Sequence, residues 1–143
     1  MAKWLMLTML MASAASAKEA EPHHWLSFVP GSFALVGQGP GGGAAYAGEA
    51  KIEARGGDFF LRRTVGGATV EAKGKIEIPQ PPGEGEVLRF RWQEKGAARV
   101  MTCLVASDLD NYARLSCLWT AEGGAPSSPG LEAYFAKDAW PQE

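Results

Sequence analysis

Two cysteines, two histidines and a set of arginine-aromatic pairs are the residues in this chain whose types and spacing bear on chemistry. Cys103 and Cys117 lie in Arg99-Val-Met-Thr-Cys-Leu-Val-Ala-Ser-Asp-Leu-Asp-Asn-Tyr-Ala-Arg-Leu-Ser-Cys-Leu-Trp-Thr120. If Val100–Ser107 and Tyr112–Thr120 form a hairpin with its turn centred on Asp110, opposed residues sum to 220, and the two cysteines face one another. Asn111 suits the last position of a three-residue turn, because Asn tolerates the left-handed backbone. Opposed residues bring their Cα atoms to about 4.5–5.5 Å, a spacing a disulfide spans. A redox-active pair usually has Cys-x-x-Cys spacing at a helix N-terminus, which lowers a thiol pKa. Neither feature is present, so the pair reads as a structural crosslink with Met101, Cys103, Val105, Leu115, Cys117 and Trp119 on the core face.

His23 and His24 are adjacent in a polar N-terminal stretch with Glu19 and Glu21 nearby. A general base needs a rigid support and a metal site needs further ligands at suitable spacing, so we expect no catalytic group, no metal and no cofactor. Glu49, Glu53, Glu71 and Glu77 alternate with lysines, the pattern of a solvated strand face. Gly39-Pro-Gly-Gly-Gly43 is followed by neither the lysine nor the helix start of a phosphate loop. The chain is therefore read as not an enzyme. Phe60-Leu61-Arg62-Arg63 and Arg89-Phe90-Arg91-Trp92 combine guanidinium groups with aromatic rings. If their strands are neighbours, Arg62, Arg89 and Arg91 form a basic patch suited to a carboxylate or acidic polymer. The alternative is that these arginines pair with Glu71 and Glu77 on the intervening strand, and it is the favoured one.

The elements that position these residues are short. Eighteen glycines and nine prolines in 143 residues punctuate brief apolar segments, which argues for strands and turns rather than long helices. Tyr46, Gly48, Ala50, Ile52 and Ala54 share one face, with Glu49, Lys51, Glu53 and Arg55 on the other. The same period of two runs through Val70 to Ile78 and through Leu88, Phe90 and Trp92, as half-buried strands require. Gly56-Gly57, Gly66-Gly67 and Lys95-Gly96 read as hairpin turns. Pro79 to Gly85 is a breaker-rich loop, since a boundary there leaves two pieces too small to hold a core. The fold expected is an all-β antiparallel meander of about eight strands, closed or partly open as a barrel, with a β-sandwich as the alternative.

The N-terminus speaks to location. Lys3, the apolar run Trp4 to Met11 and the small residues Ala15-Ser16-Ala17 have the order of a secretory signal cleaved after Ala17. The run is too short for the roughly 20 residues of a membrane span. Removing 17 of the 143 residues leaves 126, and loss of Lys3 leaves 13 basic against 16 acidic side chains, a formal charge of −3. Interspersed charge of that sign argues against nucleic acid as a partner. The expected organisation is a signal at 1–17, a flexible segment at 18–24, one barrel domain at 25–136 and a tail at 137–143, in a periplasmic or secreted protein with no membrane span in the mature chain.

Tyr46-x-Gly48-x-x-x-Ile52, Gly57-x-Phe59-x-Leu61, Gly66-Gly67, Gly74, the strand at Leu88, Trp119-Thr120, Gly123-Gly124 and Gly130-x-Glu132 together set a rhythm across roughly residues 45 to 132. It resembles that of small secreted bacterial lipocalin-like barrels, including fibronectin-binding-type domains. Gly31-Ser32-Phe33 stands where lipocalins carry Gly-x-Trp, with Phe replacing Trp. The resemblance implies a noncatalytic binding scaffold. Two uses are open: an envelope or extracellular protein-interaction module of the adhesion or inhibitor type, or a carrier whose interior, lined by Tyr46, Ile52, Phe90, Met101 and Trp119, holds a small apolar ligand.

Overall fold

The structure, a computed structural model, describes residues 21–79, 85–105, 113–121, 123 and 128–139. The signal segment, the turn at Asp110, most of the Pro79–Gly85 loop and the end of the C-terminal tail lie outside these residues. A single helical turn, α1 (Trp25–Phe28), precedes eight strands: β1 (Gly31–Gln38), β2 (Ala45–Arg55), β3 (Asp58–Val65), β4 (Ala68–Glu77), β5 (Val87–Glu94), β6 (Ala97–Val105), β7 (Ala113–Ala121) and β8 (Gly130–Ala136). Each strand pairs antiparallel with the next, and β8 returns to β1, closing the barrel. Closure removes the free edges an open sheet of this length would present, and the sandwich alternative is thereby excluded.

Alternation sets what fills the barrel. Phe33, Leu35, Ile52, Phe59, Leu88, Phe90, Met101, Leu115 and Tyr134 are fully buried, together with the disulfide-bonded Cys103. The Cys103–Cys117 bond lies between β6 and β7, with the Cα atoms 4.0 Å apart. Every paired position from Arg99↔Ala121 to Val105↔Leu115 keeps the register that the cysteines require. Tight two-residue turns join the strands at Gly56-Gly57, Gly66-Gly67 and Lys95-Gly96, all with positive φ, as the twist-matched hairpin turn demands.

The two ends of the barrel differ. At one end α1 lies across the opening, with Val29 fully buried and Trp25 and Leu26 packed on the core. Arg114, at the start of β7, donates to the Phe28 carbonyl at 2.6 Å and covers the Phe28 ring. His23 pairs with Glu86 at 2.7 Å ahead of β5. The largely apolar Trp25–Val29 segment thus plugs this end with a helical turn. These five residues carry no period-two pattern, and the helical turn packs Trp25 and Leu26, both partly buried, on the core together. At the other end Gly41 N–H reaches the Ser128 carbonyl at 3.0 Å, tying the glycine-rich loop after β1 to the loop before β8. This end is the mouth.

Candidate functional site

Below the mouth the inward-pointing row breaks the apolar rule. Arg63 occupies the same face of β3 as Phe59 and Leu61, and Glu132 the same face of β8 as Tyr134 and Ala136. Both are buried. Glu132 Oε1 accepts from Arg63 Nε at 2.7 Å, from Arg63 Nη2, and from the Tyr46 hydroxyl at 2.6 Å, while Oε2 accepts from the Tyr134 hydroxyl at 2.6 Å. Trp119 Nε1 donates to the Tyr46 oxygen at 3.2 Å. One carboxylate thereby links β2, β3 and β8 across the interior, and β7 joins them through Tyr46.

Glycine makes room for the rings in this layer. Gly37 faces Tyr46 and Gly130 faces Trp119 in the strand register. A methyl on Gly37 would come within 2.6 Å of the Tyr46 ring, and one on Gly130 within 2.3 Å of Trp119 Nε1. Each ring lies over a neighbour that has no side chain, the same cross-strand arrangement that seats Phe90 on Gly74.

Electrostatics in the cluster follow from burial. Burial opposes charge on Arg63, yet the hydrogen bonds and attraction of Glu132 outweigh it and hold the guanidinium pKa above its ordinary value. Burial, reinforced by the hydrogen bond to Glu132, pushes the Tyr46 hydroxyl up to about 12. Tyr134 is raised well above the ordinary phenol range, first by burial and then by the Glu132 charge. Above pH 10 an unfolded chain sheds phenolic protons that the folded chain keeps, so stability falls as pH climbs from 10 to 12. Urea midpoints at pH 9 and pH 11 measure the fall, and Tyr46→Phe removes part of it. An unchanged slope in that variant would assign the effect to other groups.

Glu132 is thus engaged by four donors from three side chains, three of them on Oε1 and one on Oε2. The cluster is a polar brace. Tyr46 and Trp119 belong to it, whereas Phe90 lies fully buried deeper in the core with Ile52 and Met101. Arg62, Arg89 and Arg91 stand on the outer wall, where Arg62 pairs with Glu71 at 2.7 Å, and Arg89 and Arg91 share Glu77 at 2.8 and 2.5 Å. Arg89 also donates to Thr102. Arg91, followed by Arg89, holds the Glu77 carboxyl below its usual range despite partial burial. Among the described residues no three His, Cys, Asp or Glu side chains converge as a metal centre requires.

The outer wall is divided by charge. Outward positions of β2 to β5 carry Glu49, Lys51, Glu53, Arg55, Arg62, Glu71, Lys73, Lys75, Glu77, Arg89 and Arg91. On β6, β7, β8 and β1 the outward positions are uncharged apart from Arg114, which is engaged with Phe28. There Leu104, Leu118, Leu131 and Val36 each stand about half exposed around a shallow depression of about 1040 Å³ whose margin reaches Arg89 on β5. The chain matches no protein-family model and no curated protein.

Sequence reasoning missed Arg63, Glu132 and Tyr134 as a unit. The signal was the strand parity: a charged residue at an inward position of two separate strands needs a partner in the same core.

Proposed function

We propose that the protein is a noncatalytic binding module of the bacterial envelope, periplasmic or secreted, that engages another protein through the uncharged wall formed by β6, β7, β8 and β1. The observation that carries this reading is the filled interior beside an apolar exterior. Ile52, Phe90 and Met101, the residues a carrier would use as its lining, are buried against one another. Meanwhile four large aliphatic side chains gather outside on adjacent strands, and contiguous exposed apolar surface of this kind is typical of contact sites. A signal-like N-terminus, the intrabarrel disulfide and the lipocalin-like rhythm are compatible with an exported scaffold.

A photo-crosslinking residue placed at Leu118 or Leu104, in protein exported by its own cell, is expected to give one discrete protein adduct, and the same residue at Lys51 none. Leu118→Glu should abolish the Leu104 adduct while leaving the fold intact. Equal yields from Leu118 and Lys51 would defeat the reading. Arg62→Ser with Arg91→Ser examines the charged wall, leaving in place Arg89, which lines the same depression as Leu104 and Leu118. Salt-dependent loss of capture in that variant, with Leu118→Glu silent, would move the contact to the arginines.

A further inference from the structure

The depression on the uncharged outer wall follows two neighbouring rows of the strand register. Leu118 and Leu131 stand side by side in one row, and in the next Ser116 and Ala133 lie between Leu104 on β6 and Val36 on β1. Two small residues thus form a floor, and four half-exposed aliphatic side chains surround it. From Leu104 to Val36 the row crosses four strands, roughly 14 Å at about 4.8 Å per strand.

Shape selects the occupant. Every strand of the closed barrel is paired on both sides, so an extended segment finds no edge along which to add its own backbone. A second copy of this chain would set an identical depression against this one and leave the floor unfilled, whereas the centre of a specific interface packs as densely as a protein interior. A helix is convex and about 10 Å across, and about ten of its residues cover 14 Å. Its apolar stripe at i, i+3, i+4 and i+7 matches a floor rimmed by aliphatic side chains.

Charge selects the sign. The Leu118 row continues through Thr102 to Arg89 on β5 and Lys75 on β4. Arg89 is bonded to Glu77, and Lys75 adds a second cation beside it. Asp58, whose carboxyl also feels Lys75, is bonded to Lys73 at 2.8 Å. In the other direction the row runs to Gln38 and Ala45, which carry no charge. The depression therefore has one basic end and one neutral end.

We propose that the depression receives an amphipathic helix of a partner protein, with its apolar stripe on Leu104, Leu118, Leu131 and Val36 and its acidic residues toward Arg89 and Lys75. This inference rests on the outer-wall contact proposed above and specifies the form and charge of what is bound there.

Synthetic peptides of about 14 residues, roughly 21 Å of helix, test it on the full chain. Two share one leucine stripe and carry either glutamate or lysine at the polar positions. A third is the glutamate peptide with proline at its centre, which breaks the helix. Binding is followed through the methyl signals of Leu104, Leu118 and Leu131. The glutamate peptide should move them saturably, with a dissociation constant about tenfold below that of the lysine peptide, since interface charge discriminates between partners. That gap should close at about 1 M salt, where charges are screened within about 3 Å. Lys75→Glu, a change at an exposed position outside the apolar wall, should shrink the preference, and Leu118→Glu should weaken the glutamate peptide at least tenfold. Equal affinity for the glutamate and lysine peptides, undiminished binding of the proline peptide, a silent Leu118→Glu, or methyl shifts produced by anionic phospholipid vesicles and by none of the peptides would each overturn the proposal. The crosslinking experiment keeps two failures apart. A protein adduct at Leu118 alongside methyl signals that no peptide moves removes the helix and retains the outer-wall contact, whereas loss of the adduct removes both.

Discussion

Glu132→Leu lowers the stability of the barrel by about 3–5 kcal/mol, the penalty for leaving a buried charge without its partner. The Arg63 guanidinium is held by Glu132 through two nitrogens, and the Leu variant strands it beneath the mouth with no other carboxylate bonded to it. The Tyr46 and Tyr134 hydroxyls lose their acceptor in the same step. Adding Arg63→Met to Glu132→Leu should recover a large part of the loss, because replacing both members of a buried pair by apolar side chains of similar size is often neutral or stabilising. Recovery is incomplete while the two hydroxyls remain, and Tyr134→Phe in the triple variant restores more. Urea denaturation of the wild-type, single and double variants gives the coupling energy directly. A coupling near zero would mean that water, rather than Glu132, neutralises Arg63.

The outline of this fold was legible because its pattern is local. Strict alternation in Tyr46–Arg55 and in Leu88–Trp92, and Gly-Gly or Lys-Gly between strands, dictate hairpins one after another, and a meander of eight has few ways to hide one face. The hairpin around the cysteines was legible for a stronger reason. A crosslink fixes one opposed pair, and a single pair fixes the register of both strands, since a slip by one residue would turn every side chain to the other face. Trp25–Val29 was harder. Five residues are too few to show a period, and what makes them helical is the open end of the barrel they close.

The interior brace was not read from the sequence because its members lie far apart along the chain: Tyr46, Arg63, Trp119 and Glu132 meet only when β8 closes on β1. Arg63 was also overshadowed by its neighbour. Arg62 and Arg63 are adjacent, and adjacent strand residues point to opposite sides, so one pairs with Glu71 outside while the other enters the core. The outer apolar wall was missed for a similar reason. Each of its strands shows only one or two exposed aliphatic residues, and the patch exists only in the order β6-β7-β8-β1 that closure creates.

Reduction of the Cys103–Cys117 bond is expected to lower stability by about 2–5 kcal/mol. The bond closes a loop with a sequence separation of 14, which the chain-entropy model values at about 3 kcal/mol through the freedom it removes from the unfolded chain. The folded barrel should change little, since Cys103 and Cys117 are held opposite one another by the paired residues on both sides and both side chains are buried in the core. Cys103→Ala with Cys117→Ala therefore separates two contributions. It removes the crosslink as reduction does, and it also deletes two buried sulfur atoms from beside Leu88 and Leu115, so it should lie below the reduced protein in stability. The denaturant slope should rise in both, because an uncrosslinked chain exposes more surface on unfolding. Nonreducing intact mass about 2 Da below the dithiol value, the two hydrogens lost in one such bond, is the precondition. Two freely alkylated thiols in protein prepared under oxidising conditions, or a midpoint unaffected by reductant, would show that register is maintained by the strands alone.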